Sequence, residues 1–245
     1  MILPPSWIVP DWIPHARVRA CVTTRVGTLS PPPWDGFNLG ANCDDDPARV
    51  AQARDRVHQA LGTAQPPFWL NQVHGTRVVD AGAELREADG AVTAQAGLPC
   101  VVLTADCLPV LVARRDGTAV GAFHAGWRGL LDGVLEVGVA RLAPGGEPLS
   151  AWLGPAICVR CYQVDDRVRD AFVAHDRRAD HGFIADGPGH WRMNLVALAR
   201  QRLMTLGVTE VHGGEYCTHC RADLFYSFRY EGQTGRFATL IWLNN

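Results

Sequence analysis

The pattern of apolar residues along the chain predicts a mixture of strands and helices. Apolar or β-branched runs of strand length occupy residues 18–25, 100–105, 108–113, 118–123, 150–154 and Phe237 to Leu243. Two further segments, Phe68 to Val73 and Arg77 to Asp80, are typical of extended chain. Helical spacing of three and four residues recurs in Asp46 to Leu61, Gly126 to Leu142, 164–175 and 193–207.

The order of these elements indicates the fold class. Strands and helices are mixed but do not alternate strictly, and no internal repeat or linker divides the sequence. We therefore expect an α+β fold, with layered mixed β-sheets flanked by helices. The prediction is a single domain over residues 1–245, in which 1–17 form an N-terminal extension.

Composition narrows the class of protein. Apolar residues make up 47% and charged residues 20% of the 245 positions, and the net charge of −2 favours neither nucleic acid nor a membrane as partner. All 23 basic residues are Arg, which excludes a Schiff-base or P-loop lysine. The N-terminus lacks the pattern of a signal peptide. We expect a cytoplasmic protein whose eight cysteines are thiols or metal ligands.

Three potential ligands of a soft metal stand at predicted strand ends. They are His74 in NQVHG, Cys107 in LTADC and His124 in FHAGWRG. Two imidazoles and one thiolate form a catalytic type of zinc set, which keeps a fourth position open. Their spacing does not by itself identify a metal site, so a buried cysteine and two core histidines remain the alternative.

Five segments carry a resemblance to a known family. NQVHG, LTADCLPVLV, HAGWRG, GPAICVRCYQV and SFRYEGQTGR resemble, in this order, the motifs of the bacterial YfiH/laccase-domain family. The resemblance runs from about Thr23 to the C-terminus. It implies a zinc site at His74, Cys107 and His124. It also implies phosphorolysis of adenosine, inosine and methylthioadenosine, and deamination of adenosine.

The resemblance extends to residues that would handle the substrate or phosphate. Arg54 matches a family position for handling an anion, and Arg25 and Asn38 match further positions. Arg128 stands near Gly126 at an expected helix start, where backbone N–H groups also favour anions. Arginine forks suit the phosphate that phosphorolysis must hold at the sugar C1′. The expected partners are therefore a nucleoside and phosphate; the oligomeric state stays open, and a monomer is our working expectation.

The same residues allow other chemistries. Zinc lowers the pKa of bound water to about 7, and such hydroxide can attack C6 of adenine, which gives deamination. Without a metal, Cys107 could act as the nucleophile of a hydrolase, with His124 or His74 as base. Some relatives carry the label polyphenol oxidase, so copper at the same ligands is a third possibility. The chain has nine His and no H-x-H motif, which weighs against a multicopper site.

Several other residues are open to two interpretations. Asp106 either orients a metal-bound histidine or caps a turn. Trp127 either stacks on a base or packs in the core, and His219 is a further candidate for the pocket. The pairs Cys158-x-x-Cys161 and Cys217-x-x-Cys220 suggest a zinc ribbon or a redox motif. Because 55 residues separate the pairs, we expect that they do not bind a metal.

Overall fold

The structure is a computed structural model that describes residues 3–244, so residues 1, 2 and 245 of the expected domain and extension lie outside it. The strands are β1 (Val18–Val22), β2 (Val78–Asp80), β3 (Gly90–Thr93), β4 (Cys100–Thr104), β5 (Leu108–Arg114), β6 (Val120–Ala125), β7 (Leu149–Leu153), β8 (Gln163–Asp165), β9 (Phe183–Ala185), β10 (His190–Met193), β11 (Glu210–Gly213) and β12 (Phe237–Leu243). The helices are α1 (Pro47–Leu61), α2 (Trp127–Asp132), α3 (Val134–Leu142), α4 (Asp166–His175), α5 (Leu195–Thr205) and α6 (Phe228–Glu231), with a 3₁₀ helix at Arg177–Gly182.

These strands form three sheets. The largest has the order β11-β7-β5-β6-β3-β2; its outer pairs are parallel and its inner pairs antiparallel. A second, antiparallel sheet has the order β1-β12-β4, and a small third sheet has the order β8-β10-β9. The predicted α+β class, with mixed sheets and flanking helices, is confirmed.

Alternation along the strands shows how the layers stack. On β5, Val110 belongs to the core beneath α3 and α5, and Leu111 belongs to the core between the two larger sheets. On β12, Ile241 faces that central core, and Leu240 faces a third core beneath α1. Both faces of these strands are therefore buried, which is why they appear in the sequence as continuous apolar runs.

Local signals set the bounds of α1. The side chain of Asp46 accepts a hydrogen bond from the backbone N–H of Ala48, Pro47 occupies the first turn, and Gly62 ends the helix with φ of 59°. The helix predicted from Asp46 to Leu61 is confirmed.

Several predicted bounds need correction; the strand expected at residues 18–25, for example, ends at Val22. The helix expected from Gly126 to Leu142 is broken at Gly133, whose φ of 102° is left-handed and separates α2 from α3. The strand expected at residues 118–123 begins and ends two residues later, so His124 lies inside β6, paired with Pro109 of β5. Between Phe68 and Val73 the only ladder contacts among the described residues are isolated bridges at Phe68 and Asn71.

The segment before β1 packs onto the body of the protein. The indole N–H of Trp12 donates to the hydroxyl of Ser150 at 2.8 Å, and Ile8 forms a bridge with Val22. Within residues 3–244, none of the helices has the length and apolar character to span a bilayer.

The topology also joins the two C-x-x-C pairs. β7 and β11 are parallel neighbours, so the loops that follow them leave the sheet at the same end. A bridge between Ala156 and Cys217 continues this pairing into the loops. The 55 intervening residues therefore do not keep the two pairs apart, which removes the reason for expecting that they do not bind a metal.

Candidate active site

The structure brings His74, Cys107 and His124 together. Their ligand atoms all lie within 4.8 Å of one another, and the Cys107 Sγ lies 3.8 Å from the His74 Nε2. The two imidazole rings meet edge to face, with 4.7 Å between centroids.

The three residues lie in different local structures: a loop, a turn and a strand. His74 sits in the loop before β2 with φ of 61°, Cys107 follows Asp106 in the turn between β4 and β5, and His124 lies in β6. A Cβ on Gly126 would lie 3.0 Å from both the Cys107 Sγ and the His74 ring, so a glycine there leaves room for the ligands. Positive φ at His74 and at Asp106 (99°) marks strained backbone beside the site.

A buried carboxylate, Asp89, holds this arrangement. Its Oδ1 lies 2.8 Å from the His124 Nδ1, and its two oxygens accept the backbone N–H groups of Val73, His74 and Gly75 at 3.2, 2.9 and 2.7 Å. Because the Nδ1 of His124 is engaged, the other ring nitrogen is the one free for a ligand. Asp89, and not Asp106 as the sequence suggested, is therefore the carboxylate that orients a histidine of the site.

The charges of the site favour a thiolate. Burial opposes ionisation of Cys107, but the positive charge of His124 and hydrogen bonds from His124 and His74 lower the pKa of this thiol to about 6. Burial likewise opposes the charged form of His124, while the thiolate and Asp89 raise the pKa of the imidazole to about 9. Cys107 is therefore ready to act as an anionic ligand or as a nucleophile.

The donor set fits a catalytic metal. Two imidazole nitrogens and one thiolate supply three ligands, which suits zinc with one position left open. All three residues line one cavity, so a metal held by them would lie beside a space large enough for a small molecule. The carboxylate behind His124 completes the outer layer that metal-bound histidines usually have.

The cavity measures about 710 Å³ and carries four arginines, Arg54, Arg86, Arg229 and Arg236. Within residues 3–244 none of these four forms an ion pair with a carboxylate. Arg54 donates its Nε–H to the carbonyl of Leu39 at 3.0 Å and lies 4.5 Å over the ring of Trp69. These positive charges leave the cavity suited to an anion.

Flat and apolar side chains complete the wall. Trp69, Tyr162 and Phe228 present rings to the cavity, and Leu70, Leu103, Ile157 and Leu195 add apolar surface. Such a lining suits the faces of a ring system.

The structure does not bring Arg25, Asn38 or Arg128 to the cavity wall. Arg25 bonds Asp35 at 3.0 Å and Glu231 at 2.7 Å, in a separate depression. Asn38 is buried, and its Oδ1 accepts the backbone N–H groups of Arg236 at 2.8 Å and Gly40 at 2.9 Å, so it acts on the cavity through these two lining residues. Arg128 is exposed at the start of α2.

The structure also shows the surroundings of the three residues whose roles the sequence left open. Asp106 accepts the hydroxyl of Thr218 at 2.6 Å and the backbone N–H of Arg229 at 2.6 Å, so it fastens loops and is not in contact with a histidine. Trp127 is half-buried against the core beneath α3. His219 packs on Tyr230, with 5.1 Å between ring centroids.

Sequence reasoning missed Asp89, Trp69 and Arg86. The motif SFRYEGQTGR contained Phe228, Arg229 and Arg236, but nothing in it singled them out. Asp89 stands before Gly90, and an Asp-Gly pair is an ordinary turn signal. Its partner His124 is 35 residues away, so no local pattern could reveal the contact.

The family assignment follows from comparison with known proteins. The model of the family described as "Multi-copper polyphenol oxidoreductase laccase" matches residues 19–244, which is nearly the whole chain. This chain belongs to the YfiH/laccase-domain family. The resemblance inferred from its five motifs is thereby confirmed.

Members of the YfiH/laccase-domain family match over their full length. A Pseudomonas aeruginosa protein named purine nucleoside phosphorylase is 48% identical, with 98% of this chain and 99% of that protein covered. An Escherichia coli protein named purine nucleoside phosphorylase YfiH is 45% identical, with 96% and 98% covered. The solved structure of a Neisseria meningitidis protein assigned to DUF152 is 41% identical and superposes with a TM-score of 0.93 over 98% of this chain and 100% of the other.

We expect Asp89→Asn to weaken zinc binding roughly ten- to a hundredfold, because the carboxylate that orients His124 loses its charge. Competition with a chromophoric chelator measures the affinity. Asp45→Asn is the matched control, because it makes the same change at a buried carboxylate that contacts none of the three ligands. The importance of Asp89 is refuted if Asp89→Asn binds zinc as tightly as the wild type, or if the control loses as much affinity.

We expect Cys107 in chelator-stripped protein to react with iodoacetamide with a midpoint near pH 6, as its lowered pKa requires. The thiolate is then present at neutral pH and is lost as the pH falls through 6. His124→Ala should move the midpoint up towards that of an ordinary thiol. Peptide mapping by mass spectrometry separates Cys107 from the other cysteines, and an unshifted midpoint in the variant contradicts the ion pair.

Proposed function

We propose that this chain is a zinc-dependent purine nucleoside phosphorylase that also deaminates adenosine, with inosine and methylthioadenosine as further substrates. One observation carries the proposal: the cavity that holds the three-ligand site also holds four arginines without carboxylate partners among the described residues. Arginines that can hold phosphate, beside a wall that suits a base, provide what a reaction between a nucleoside and phosphate requires, and the metal site adds the means to activate water for deamination. The names of the relatives from P. aeruginosa and E. coli support the same reaction.

The size of the cavity supports two simultaneous ligands. Its volume of about 710 Å³ lies in the upper part of the usual range for small-molecule sites. Phosphorolysis needs this room, because nucleoside and phosphate must be bound together before they react.

The arginines provide the phosphate site. Arg54 uses its Nε–H on Leu39, and Arg229 uses one N–H on the carbonyl of Gln163, so each keeps further donors. The guanidinium of Arg86 lies 3.9 Å over the ring of Phe68. Stacking on a ring does not use the N–H donors of the guanidinium, so they stay available for phosphate. A planar guanidinium with spare donors can fork onto two phosphate oxygens.

The ring-lined wall suits the purine. Trp69 and Phe228 offer flat apolar faces for a base, a contact worth about 1–3 kcal/mol per base in stacking sites. Tyr162 keeps its hydroxyl protonated, because burial raises the pKa of the phenol. It can therefore donate a hydrogen bond inside the cavity at neutral pH.

The chemistry of phosphorolysis then divides among these groups. A phosphate oxygen forms a bond to C1′ of the ribose while the C1′–N9 bond breaks, and the electron pair leaves with the purine, which takes up a proton. The arginines hold the phosphate in position, and the apolar wall limits access of water, which would otherwise compete for C1′. When bound at His74, Cys107 and His124, zinc supplies a Lewis acid that stabilises developing negative charge and activates water for deamination.

Zinc suits the site better than copper. A blue-copper site adds a methionine to two histidines and a cysteine. Within the described residues, Met193 lies in a core and Met204 is exposed, and neither lines the cavity. A polyphenol oxidase using copper at the same ligands is the second candidate, which the name of the matching family supports.

A metal-free hydrolase is the third candidate. The Cys107 thiolate and the His124 imidazolium form the kind of pair that nucleophilic cysteine enzymes use. It differs from the proposed enzyme in one respect that can be measured, since a chelator leaves it active.

Phosphate-dependent release of free base from adenosine, inosine and methylthioadenosine is the test of the function. We expect release by the wild type, and loss of both activity and one zinc ion in His74→Ala, Cys107→Ala and His124→Ala. Chelation should abolish activity and added zinc should restore it. Oxidation of a phenol with copper but no base release with zinc favours the second candidate, and activity that survives chelation favours the third.

Arg54→Ala should reduce phosphorolysis roughly ten- to a hundredfold, because a charged hydrogen bond to an anion is worth about 1.5–3 kcal/mol. The loss should appear chiefly in the KM for phosphate, with zinc content unchanged. Arg54→Lys should recover only part, because an ammonium cannot fork onto two oxygens. Arg56→Ala, an exposed arginine of the same helix, is the matched control. Loss of zinc in Arg54→Ala contradicts a role in phosphate binding.

A further inference from the structure

Four cysteines outside the active site converge on one point. The Sγ atoms of Cys158, Cys161, Cys217 and Cys220 all lie within 4.8 Å of one another. All four are free of disulfide bonds. They stand on the two loops that follow the parallel strands β7 and β11, and the proposed function makes no use of them.

The spacing of the sulfurs matches a tetrahedral metal site. Cys161 Sγ lies 3.7 Å from Cys158 Sγ and 3.5 Å from Cys220 Sγ. Zinc bound to four thiolates at about 2.3 Å places the sulfurs about 3.8 Å apart. The two measured separations agree with this value, and all four sulfurs lie within 4.8 Å of one another.

The surrounding donors also suit thiolates. The backbone N–H of Cys158 donates to the Sγ of Cys217 at 3.3 Å. The positive charge of Arg160, two residues after Cys158, is attracted to thiolates at Cys158, Cys161 and Cys220. Hydrogen bonds and a positive charge of this kind compensate the negative charge that four thiolates bring to one ion.

We propose that Cys158, Cys161, Cys217 and Cys220 bind a second, structural zinc ion. Each ligand comes from one of two C-x-x-C turns, and four protein ligands close the coordination sphere, so this ion has no position for substrate. The loop after β7 and the loop after β11 each supply two ligands, so the ion links the two loops.

The second zinc ion also supports the turn of the active site that contains Asp106 and Cys107. The backbone N–H of Ile157, beside Cys158, donates to the carbonyl of Asp106 at 2.9 Å. Thr218, beside Cys217, donates its hydroxyl to the carboxylate of the same Asp106 at 2.6 Å. Asp106 precedes Cys107, so the second zinc ion stabilises the turn that carries the thiolate ligand of the first.

Metal analysis of four proteins tests the proposal. We expect two zinc ions per chain in the wild type, and one in Cys158→Ser/Cys220→Ser, with a lower Tm. His74→Ala/His124→Ala should also keep one, which separates the two sites whatever the enzyme catalyses. Val159→Ala alters the same turn without removing a sulfur and should keep two. One zinc in the wild type that the cysteine variant retains overturns the proposal.

Cobalt substitution of the wild type keeps the test independent of how the serine variants fold. Two Co²⁺ ions per chain, with the intense sulfur-to-cobalt charge-transfer absorption of a tetrathiolate, support the site. A single cobalt ion overturns it. Iron in place of the second zinc, or an unreduced mass that reveals disulfide bonds between these cysteines, overturns the assignment as well.

Discussion

The active site depends on one buried carboxylate. Asp89 has no exposed surface, and burial of an unpaired charge would be costly. Its oxygens are satisfied by three consecutive backbone N–H groups at residues 73–75 and by the imidazole of His124. These contacts lower the pKa of the Asp89 carboxyl although burial opposes ionisation, so the charge remains in place. The same group thereby fixes the strained backbone of His74 and the ring of His124, and the cluster of ligands forms as the chain folds.

The layered sheets provide the rigid frame for that contact. Asp89 directly precedes β3, and its backbone carbonyl accepts the N–H of His124, which lies in β6, at 2.7 Å. β6 also pairs with β5, which begins just after Cys107, so two of the ligands are tied to neighbouring strands. Strands buried on both faces move little, because closely packed cores resist displacement. Arg54 lies in α1, on the opposite side of the cavity from this frame. The cavity therefore forms where the sheets and that helix meet.

The parts of the fold that could be predicted are those with local causes. Capping by Asp46 and Gly62 defines α1, and two-sided burial makes β12 a continuous apolar run that is recognisable from Phe237 to Leu243. The break at Gly133 was missed because the apolar spacing continues through it. The triad was found through motifs, while Asp89 was missed because its partner is distant in sequence. Likewise, an arginine that lines a cavity has the same local sequence pattern as one on the surface, so Arg54 was found only through the resemblance, and Arg86 and Arg229 only from the fold.

The two sulfur-containing clusters differ in a way that assigns them different roles. His74, Cys107 and His124 leave one side of a metal open to the cavity, so an ion there can act on a bound molecule. Four cysteines surround their centre completely, so an ion there acts only on the loops that carry them. Asp106 links the two, since its carboxylate and carbonyl are held by those loops and its neighbour is Cys107. A closed site can stabilise the position of an open one without sharing in its chemistry, because the connection between them is made of hydrogen bonds and backbone.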